Sequence, residues 1–390
     1  MSPTPVTYTL PTMPASYAWE ATDEEVAARY GAPVDRIVRF DLNSSPTPPA
    51  LAQRVLSAGR FQTNLSDYPP GDYGRLTRAA ADTYGVSIDE LVVGAGADEI
   101  LELCAKAFLP PNGVAIVPTP TYAMYRVVTE QRPARLIAVD RRPAAEGWGF
   151  DTRAIRDAVR AHAAANPLLW LCDPNNPTGT QEPAGAIASL LDDLAADADA
   201  DDRQPPMVVL DNAYAEFAGP PLQDLRHGYS NLVVVRTASK AYALAGMRVG
   251  FAIANPGTTR RLARYRPPGS ISTVSATVVT EALLDPTEMR ANVARLTAER
   301  PRLAAALADA GWRPGPSVTN FLLLDFGSAD RAAAVAEALL RRGLVPRTFG
   351  AAHPLAGHLR VTVRSSEEDD RLIEAARQIE HGRPIEEATA

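Results

Sequence analysis

Seven short apolar runs alternate with helical patterns between about residues 75 and 284, which predicts an α/β fold built on a mostly parallel sheet covered on both faces. Two further observations refine that class. A length of 390 residues exceeds the roughly 100–200 expected of one domain. After Pro286 the pattern changes to α+β, so a second, smaller unit is expected there.

Taken in order, the first fifteen residues are rich in Pro and Thr and read as a loose arm. Thr22-Asp23-Glu24-Glu25 supplies the hydroxyl and the acid that cap a short helix, and Gly31 ends it. Ile37 to Leu42 is extended and leads into a proline-broken loop, Asn43-Ser44-Ser45-Pro46-Thr47-Pro48-Pro49. The seven runs are Leu91–Val93, Gly113–Pro118, Arg135–Val139, Leu168–Cys172, Met207–Leu210, Leu232–Arg236 and Val249–Ile253. The Asp- and Ala-dominated stretch from Asp192 to Pro206 reads as an exposed helix end and loop. A long helix rich in Arg and Ala is expected from Glu288 to Ala310. Beyond it, Asn320–Phe326, Gly343–Arg347 and His358–Arg364 alternate with helices, and no internal repeat is visible.

Composition narrows the function. Hydrophobic content of 46% and charged content of 22% are those of a globular protein. A net charge of −7 and a pI near 5.4 argue against nucleic acid or an anionic membrane as partner. An anionic small substrate stays open, because a local arginine pocket can oppose the global charge. No apolar run approaches the roughly 18–20 residues that span a bilayer. The opening Met1-Ser2-Pro3-Thr4-Pro5-Val6-Thr7-Tyr8 lacks the basic and apolar parts of a signal peptide, so a cytoplasmic protein is expected. Cys104 and Cys172 lie in apolar segments and read as buried thiols, without the spacing of metal ligands. No metal is expected.

One residue type is conspicuous by its scarcity. Lys106 and Lys240 are the only lysines, and arginine supplies the remaining positive charge. A lysine kept where arginine is otherwise preferred points to an amine that must lose its proton. A buried amine can attack an aldehyde to form a Schiff base, whereas a guanidinium stays charged and non-nucleophilic. Lys240 follows one strand, Asp211-Asn212-Ala213-Tyr214 follows another, and Asp173-Pro174-Asn175-Asn176-Pro177-Thr178-Gly179 follows a third. Each alone reads as an ordinary turn or cap. Parallel sheets place ligands at the C-terminal ends of their strands, so Asn176, Asp211 and Lys240 are expected to meet in one crevice.

These segments, with Asp67-Tyr68-Pro69, Gly94-Ala95-Gly96-Ala97-Asp98-Glu99, Pro118-Thr119-Pro120-Thr121-Tyr122-Ala123-Met124-Tyr125, Ser239–Arg248 and Leu359-Arg360-Val361-Thr362-Val363, occur in the order of a known family. The chain resembles the fold-type I pyridoxal-phosphate aminotransferases over about residues 20 to 380, and most of all their histidinol-phosphate group. The strings Asn-Asn-Pro-Thr-Gly and Ser-Lys-Ala-Tyr-Ala-Leu-Ala-Gly-Met-Arg are the specific ones. The resemblance implies an aspartate-aminotransferase-like architecture: a three-layer large domain with a mostly parallel seven-stranded sheet, plus a smaller α+β domain. It places the large cofactor-binding domain at 46–285 and the C-terminal small domain at 286–390. The arm and helix of 1–45 would belong to the small domain.

By motif position, the resemblance implies that Lys240 holds pyridoxal 5'-phosphate and later shuttles a proton at the reacting carbon. Asp211 would pair with the pyridine nitrogen, which makes the ring an electron sink. Asn176 and Tyr214 would bond the ring's phenolic oxygen, and Tyr122 would stack on the ring. Backbone N–H groups of Ala97 and Asp98, the hydroxyls of Thr237 and Ser239, and Arg248 would hold the phosphate. Tyr68 would reach that phosphate from a neighbouring subunit, which implies a homodimer. Arg360, Arg347 and Asn43 would meet the substrate, and Asn320 is expected to be structural. Partners are then a small-molecule amino donor and a keto acceptor, with no nucleic acid and no membrane.

Two departures stand out. The family's entrance loop usually reads Asn-x-Asn-Glu-Asn-Pro, where this chain has Asn43-Ser44-Ser45-Pro46-Thr47-Pro48, and its Asp-Glu-Ala-Tyr is Asp211-Asn212-Ala213-Tyr214 here. Histidinol phosphate with 2-oxoglutarate is the favoured pair. An aromatic or specialised amino-acid aminotransferase and a phosphothreonine-type decarboxylase are the alternatives within the fold. A ligand sensor on the same scaffold would carry a basic DNA-binding extension, for which there is no room before residue 20. Dinucleotide binding at Gly94-Ala95-Gly96 lacks the third glycine and the later acidic residue.

Overall fold

The structure, a computed structural model, describes residues 16–219 and 222–381. The expected arm of the first fifteen residues lies outside the described residues. Along the chain come α1 (Asp23–Tyr30), β1 (Val38–Arg39), α2 (Ala50–Ala58), α3 (Gly74–Tyr84), β2 (Leu91–Gly94), α4 (Gly96–Phe108), β3 (Val114–Thr119) and α5 (Met124–Glu130). Next are β4 (Arg135–Asp140), α6 (Thr152–Ala161), β5 (Leu168–Cys172), α7 (Ala186–Ala200), β6 (Met207–Asp211), β7 (Leu232–Thr237), β8 (Gly250–Ile253), α8 (Pro256–Ala263) and α9 (Thr273–Leu284). The C-terminal part holds α10 (Thr287–Asp309), β9 (Arg313–Pro314), β10 (Phe321–Asp325), α11 (Ala329–Leu340), β11 (Leu344–Val345), β12 (His358–Thr362) and α12 (Ser366–Glu380).

The main sheet has the order β2-β8-β7-β6-β5-β3-β4. Strands β4, β3, β5, β6 and β7 run parallel, and β8 is antiparallel to both of its neighbours. Its two faces feed separate cores. Leu169, Leu171, Val208, Leu210 and Val234 enter one cluster with α3, α6, α7 and α9. The residues between them, Trp170, Val209, Val233 and Val235, enter another with α4, α5 and α8. Helices on both sides explain why the central strands read as continuous apolar runs: in β5 and β7 each side chain is buried whichever way it points, while the edge strand β4 is largely exposed or half-buried.

Local chemistry sets the ends of the elements. Thr22 Oγ1 accepts the Glu25 N–H at 3.2 Å, the Glu25 carboxylate accepts the Thr22 N–H at 2.8 Å, and Gly31 terminates α1 with φ of 72°. The Asp-rich stretch after Asp192 is the expected helix end and loop, with α7 running to Ala200. Leu194 and Ala198 fall on its buried face, and Arg156 bonds both Asp193 and Asp197 from α6.

A second sheet, β12-β10-β9, is antiparallel, and β1 pairs in parallel with β11. The chain around β1 is therefore laced into the C-terminal part. Phe40 N–H donates to Val345 O, and Phe40 O accepts from Thr362 N–H, both at 2.8 Å. That pairing delivers Asp41, Leu42 and Asn43 to the C-terminal edge of the main sheet.

The chain reverses direction across that sheet between β3 and β5, since β4 lies on one side of β3 and β5 on the other. Ligand crevices form at such a point. Helix α4 starts against β8 with no room to spare. A Cβ on Gly250 would lie 2.6 Å from the Ala97 nitrogen, a backbone atom that no rotamer change can move. We therefore expect G250A to lower the apo-protein's unfolding free energy by about 1–3 kcal/mol, the usual cost of overpacking. G246A, at a position with nothing within 4 Å, should change it little. Urea denaturation of both variants checks the difference.

Candidate active site

A cavity of about 570 Å³ opens beyond the C-terminal ends of β5, β6 and β7. That volume suits a cofactor together with a small substrate. Every residue singled out by the sequence lines it except Tyr68, which lies at the surface and is 91% exposed, and Asn320, which sits behind it.

Lys240 follows β7, and its Nζ lies 3.3 Å from Asn43 O and 3.4 Å from Leu42 O. Its ammonium stands 5.8 Å from the centre of the Tyr214 ring. Burial, reinforced by the charge of Arg360, pushes the Lys240 amine down to about 8. Asp211 ends β6 and shows the opposite displacement, raised by burial to about 6. Its Oδ1 accepts the Ala213 N–H at 3.1 Å and its Oδ2 the Tyr125 hydroxyl at 2.8 Å. A desolvated amine and a desolvated carboxylate thus come from neighbouring strand ends, each with its charged form disfavoured.

At one end of the cavity the groups suit a phosphate. Helix α4 begins at Gly96, so the N–H groups of Ala97 and Asp98 have no acceptor within the helix. The Thr237 and Ser239 hydroxyls lie 3.0 Å apart beside them. Arg248 reaches in to pair with Asp98 at 3.0 Å, and Asp98 also accepts the Tyr122 hydroxyl at 3.0 Å. Gly96 has φ of +84°, and a Cβ there would lie 2.5 Å from an Arg248 nitrogen, so the guanidinium approach requires glycine.

The opposite wall carries two arginines. Arg360 of β12 donates to Asn176 Oδ1 at 2.6 Å and to Asp41 O, while its Nε is buried without a partner among the described residues. Arg347 forms an isolated bridge with Arg360, backbone to backbone, and its guanidinium donates to Ala18 O at 2.6 Å and lies 5.2 Å from the Tyr17 ring. Asn43 donates through Nδ2 to the Tyr214 hydroxyl at 2.9 Å. Asn320 donates to Asn43 O at 3.0 Å and so steadies the entrance loop from behind. That loop has a second tie, Ser45 Oγ donating to Asn292 of α10 at 3.0 Å, and Asn292 in turn donates to Ala241 O at 2.9 Å.

Asn212, one of the departures, points away from the cavity. Its Nδ2 donates to Asp173 O at 2.6 Å, a bond that an acceptor-only carboxylate in its place could not make. Several contributors were not singled out from the sequence. Arg141 is buried beneath the site, donating to Cys172 O at 3.1 Å and to Asn175 Oδ1 at 3.0 Å. Asn175 passes the tie on through Nδ2 to Pro120 O at 3.1 Å, which fixes the Tyr122 loop against the Asn176 loop. Tyr17, Trp19 and Asp41 also line the cavity. The Tyr17-Ala18-Trp19 pair of aromatics, just after the Pro- and Thr-rich arm, was the signal the sequence offered.

Residues 38–376 match the family described as aminotransferase class I and II. The chain is 34% identical over 362 residues to a histidinol-phosphate aminotransferase of Roseiflexus castenholzii, covering 91% of this chain and 93% of that protein. It is 36% identical over 344 residues to one of Symbiobacterium thermophilum, covering 87% and 89%. Among solved structures, the histidinol-phosphate aminotransferase of Sinorhizobium meliloti in complex with pyridoxal-5'-phosphate has the same fold, with a TM-score of 0.82 at 24% identity over 94% of this chain and 96% of that one. The chain belongs to the class I and II aminotransferase family and is a pyridoxal-phosphate-dependent transaminase of fold type I.

The residues present fit that cofactor: an amine for its aldehyde, a carboxylate for its ring nitrogen, and a helix N-terminus with two hydroxyls and an arginine for its phosphate. Because an ammonium cannot attack an aldehyde, recapture of pyridoxal phosphate by the apo-enzyme should accelerate as pH rises, with a midpoint near 8 where a free lysine would need about 10.4. Stopped-flow growth of the visible band reads this midpoint. K240A should form no band that borohydride reduces.

Proposed function

We propose that this transaminase uses histidinol phosphate as amino donor and 2-oxoglutarate as acceptor, in a homodimer. The arginine pair carries the reading. Arg347 and Arg360 stand side by side on one cavity wall, and Arg360 keeps a buried Nε with no partner among the described residues. Two adjacent guanidiniums can meet a phosphate dianion or a carboxylate with the same fork. One wall then serves both halves of a cycle whose donor carries a phosphate and whose acceptor carries carboxylates. The relatives bearing the histidinol-phosphate aminotransferase name match across nearly the whole chain, which supports the same choice.

When bound, the cofactor supplies a cationic ring that draws electrons from the bond broken at the amine-bearing carbon. The chain supplies the rest. Asp211 holds the proton on the ring nitrogen, Asn176 and Tyr214 orient the ring through its phenolic oxygen, and Tyr122 covers its face. Lys240 Nζ, once free, takes the proton from the amine-bearing carbon. Tyr17 and Trp19 line the cavity at its mouth.

Tyr68 completes the phosphate cradle of a partner protomer in this reading. Its 91% exposure beside Leu65, itself 63% exposed, suits a segment that meets another subunit. Residues 46–285 then form the cofactor-binding domain, and 286–390 with 1–45 the small domain, as the β1–β11 pairing supports. A cytoplasmic enzyme accords with two buried, free cysteines.

Single-turnover spectra across a panel of amines test the assignment. Histidinol phosphate should convert the bound cofactor to its amine form fastest and without release of CO₂; a preference for phenylalanine, or CO₂ from phosphothreonine, would overturn it. R347A should cut kcat/KM for histidinol phosphate about ten- to hundredfold, as expected for one charge-assisted bond worth about 1.5–3 kcal/mol. Unphosphorylated amines should lose less than about threefold, and equal losses would remove Arg347 from the phosphate site.

A further inference from the structure

Tyr125 lies behind the cavity, on α5, and lines no part of it. Its ring is 1% exposed and stacks on Trp170 of β5, with centroids 5.6 Å apart and planes 15° from parallel. The Trp170 indole N–H donates to Thr129 Oγ1 at 3.1 Å, one turn further along the same helix. Helix, indole and phenol therefore form a closed brace. A phenylalanine would fill this space equally well, yet the hydroxyl is present and donates to Asp211 Oδ2 at 2.8 Å.

The other groups around Asp211 make that bond consequential. Burial disfavours the carboxylate most, and the charge of Asp98 opposes it further. Lys240 and the Ala213 N–H favour it. Tyr125 keeps its proton and so can donate it, because burial and the nearby Asp211 charge push its own ionisation far upward. A buried carboxylate oxygen deprived of its donor protonates instead of staying charged.

We propose that Tyr125 is a positioning residue for catalysis: its hydroxyl keeps Asp211 ionised and fixes the carboxylate plane, so that the cofactor's ring nitrogen remains protonated. The proposal rests on the cofactor assignment and is independent of which amine is the substrate. It predicts that Tyr125 matters only as far as the ring has a nitrogen to protonate.

The experiment compares wild type and Y125F, each loaded with pyridoxal phosphate or with the analogue in which carbon replaces the ring nitrogen. Equilibrium binding and the single-turnover rate with a saturating amine are both read. In Y125F, affinity for pyridoxal phosphate and the turnover rate should fall about ten- to hundredfold, while affinity for the analogue stays within about twofold of wild type. Equal loss with both cofactors would make Tyr125 a packing residue, and no loss with either would make its hydroxyl idle; both outcomes overturn the proposal. Should Y125F fail to fold, site-specific replacement of Tyr125 by a difluorotyrosine, a stronger donor of nearly the same shape, decides the matter. The preference for pyridoxal phosphate over the analogue should then rise, and an unchanged preference overturns it. Failure of wild type to bind either cofactor would instead refute the cofactor assignment itself.

Discussion

Two charges that water would stabilise have been brought into a place where water is scarce. Asp211 and Lys240 sit at or just past the ends of β6 and β7, and burial moves their ionisation to about 6 and about 8. In water the carboxyl and the amine would be separated by more than six units, and here by about two. Near neutral pH the amine therefore stays within reach of its reactive form while the carboxylate stays charged. Everything else in the site follows from holding those two groups in place without neutralising them. The parallel sheet does this at the level of the backbone, since neighbouring strands fix the spacing of what leaves their ends.

The second layer is a set of ties between segments far apart in sequence. Arg360 reaches from β12 to Asn176 after β5 and to the backbone of Asp41. Arg347 holds the backbone of Ala18 at the mouth, and Thr348 donates through its N–H to Glu20 at 2.7 Å. Arg347 thus both lines the cavity and holds the N-terminal segment at its mouth. An anion that engages Arg347 must compete with, or add to, its contact with that segment.

Much of this was legible in the sequence, for reasons that can be named. Thr22 and Glu25 announce α1 because a capping box is a local device, complete within four residues. The central strands were legible because both faces are buried, which leaves unbroken apolar runs. Lys240 was legible because arginine stands nearly everywhere else. What escaped is what depends on partners distant in sequence. The run ending at Ile253 says nothing about direction, and only pairing with β7 and β2 makes β8 antiparallel. What ties down the Asp-rich end of α7 was not legible, because the arginine that neutralises it lies on α6. Arg141 is one arginine among many until the fold buries it between the loops that follow β3 and β5.

The two lysines make the same point from the surface inward. Lys106 lies on α4 and pairs with Glu102 at 2.6 Å one turn away, a half-exposed bond worth little and available to an arginine as well. Nothing at that position calls for an amine. At 240 a guanidinium would keep its charge in a place where burial and Arg360 both oppose charge, and it would have no reactive lone pair to offer. At 240, unlike 106, the surroundings give a reason for lysine: burial there favours an amine that can lose its proton. Arg248, Arg347 and Arg360 carry permanent, planar charges on the cavity wall, and two of them, Arg360 and Arg248, add to burial in lowering the hold of Lys240 on its proton.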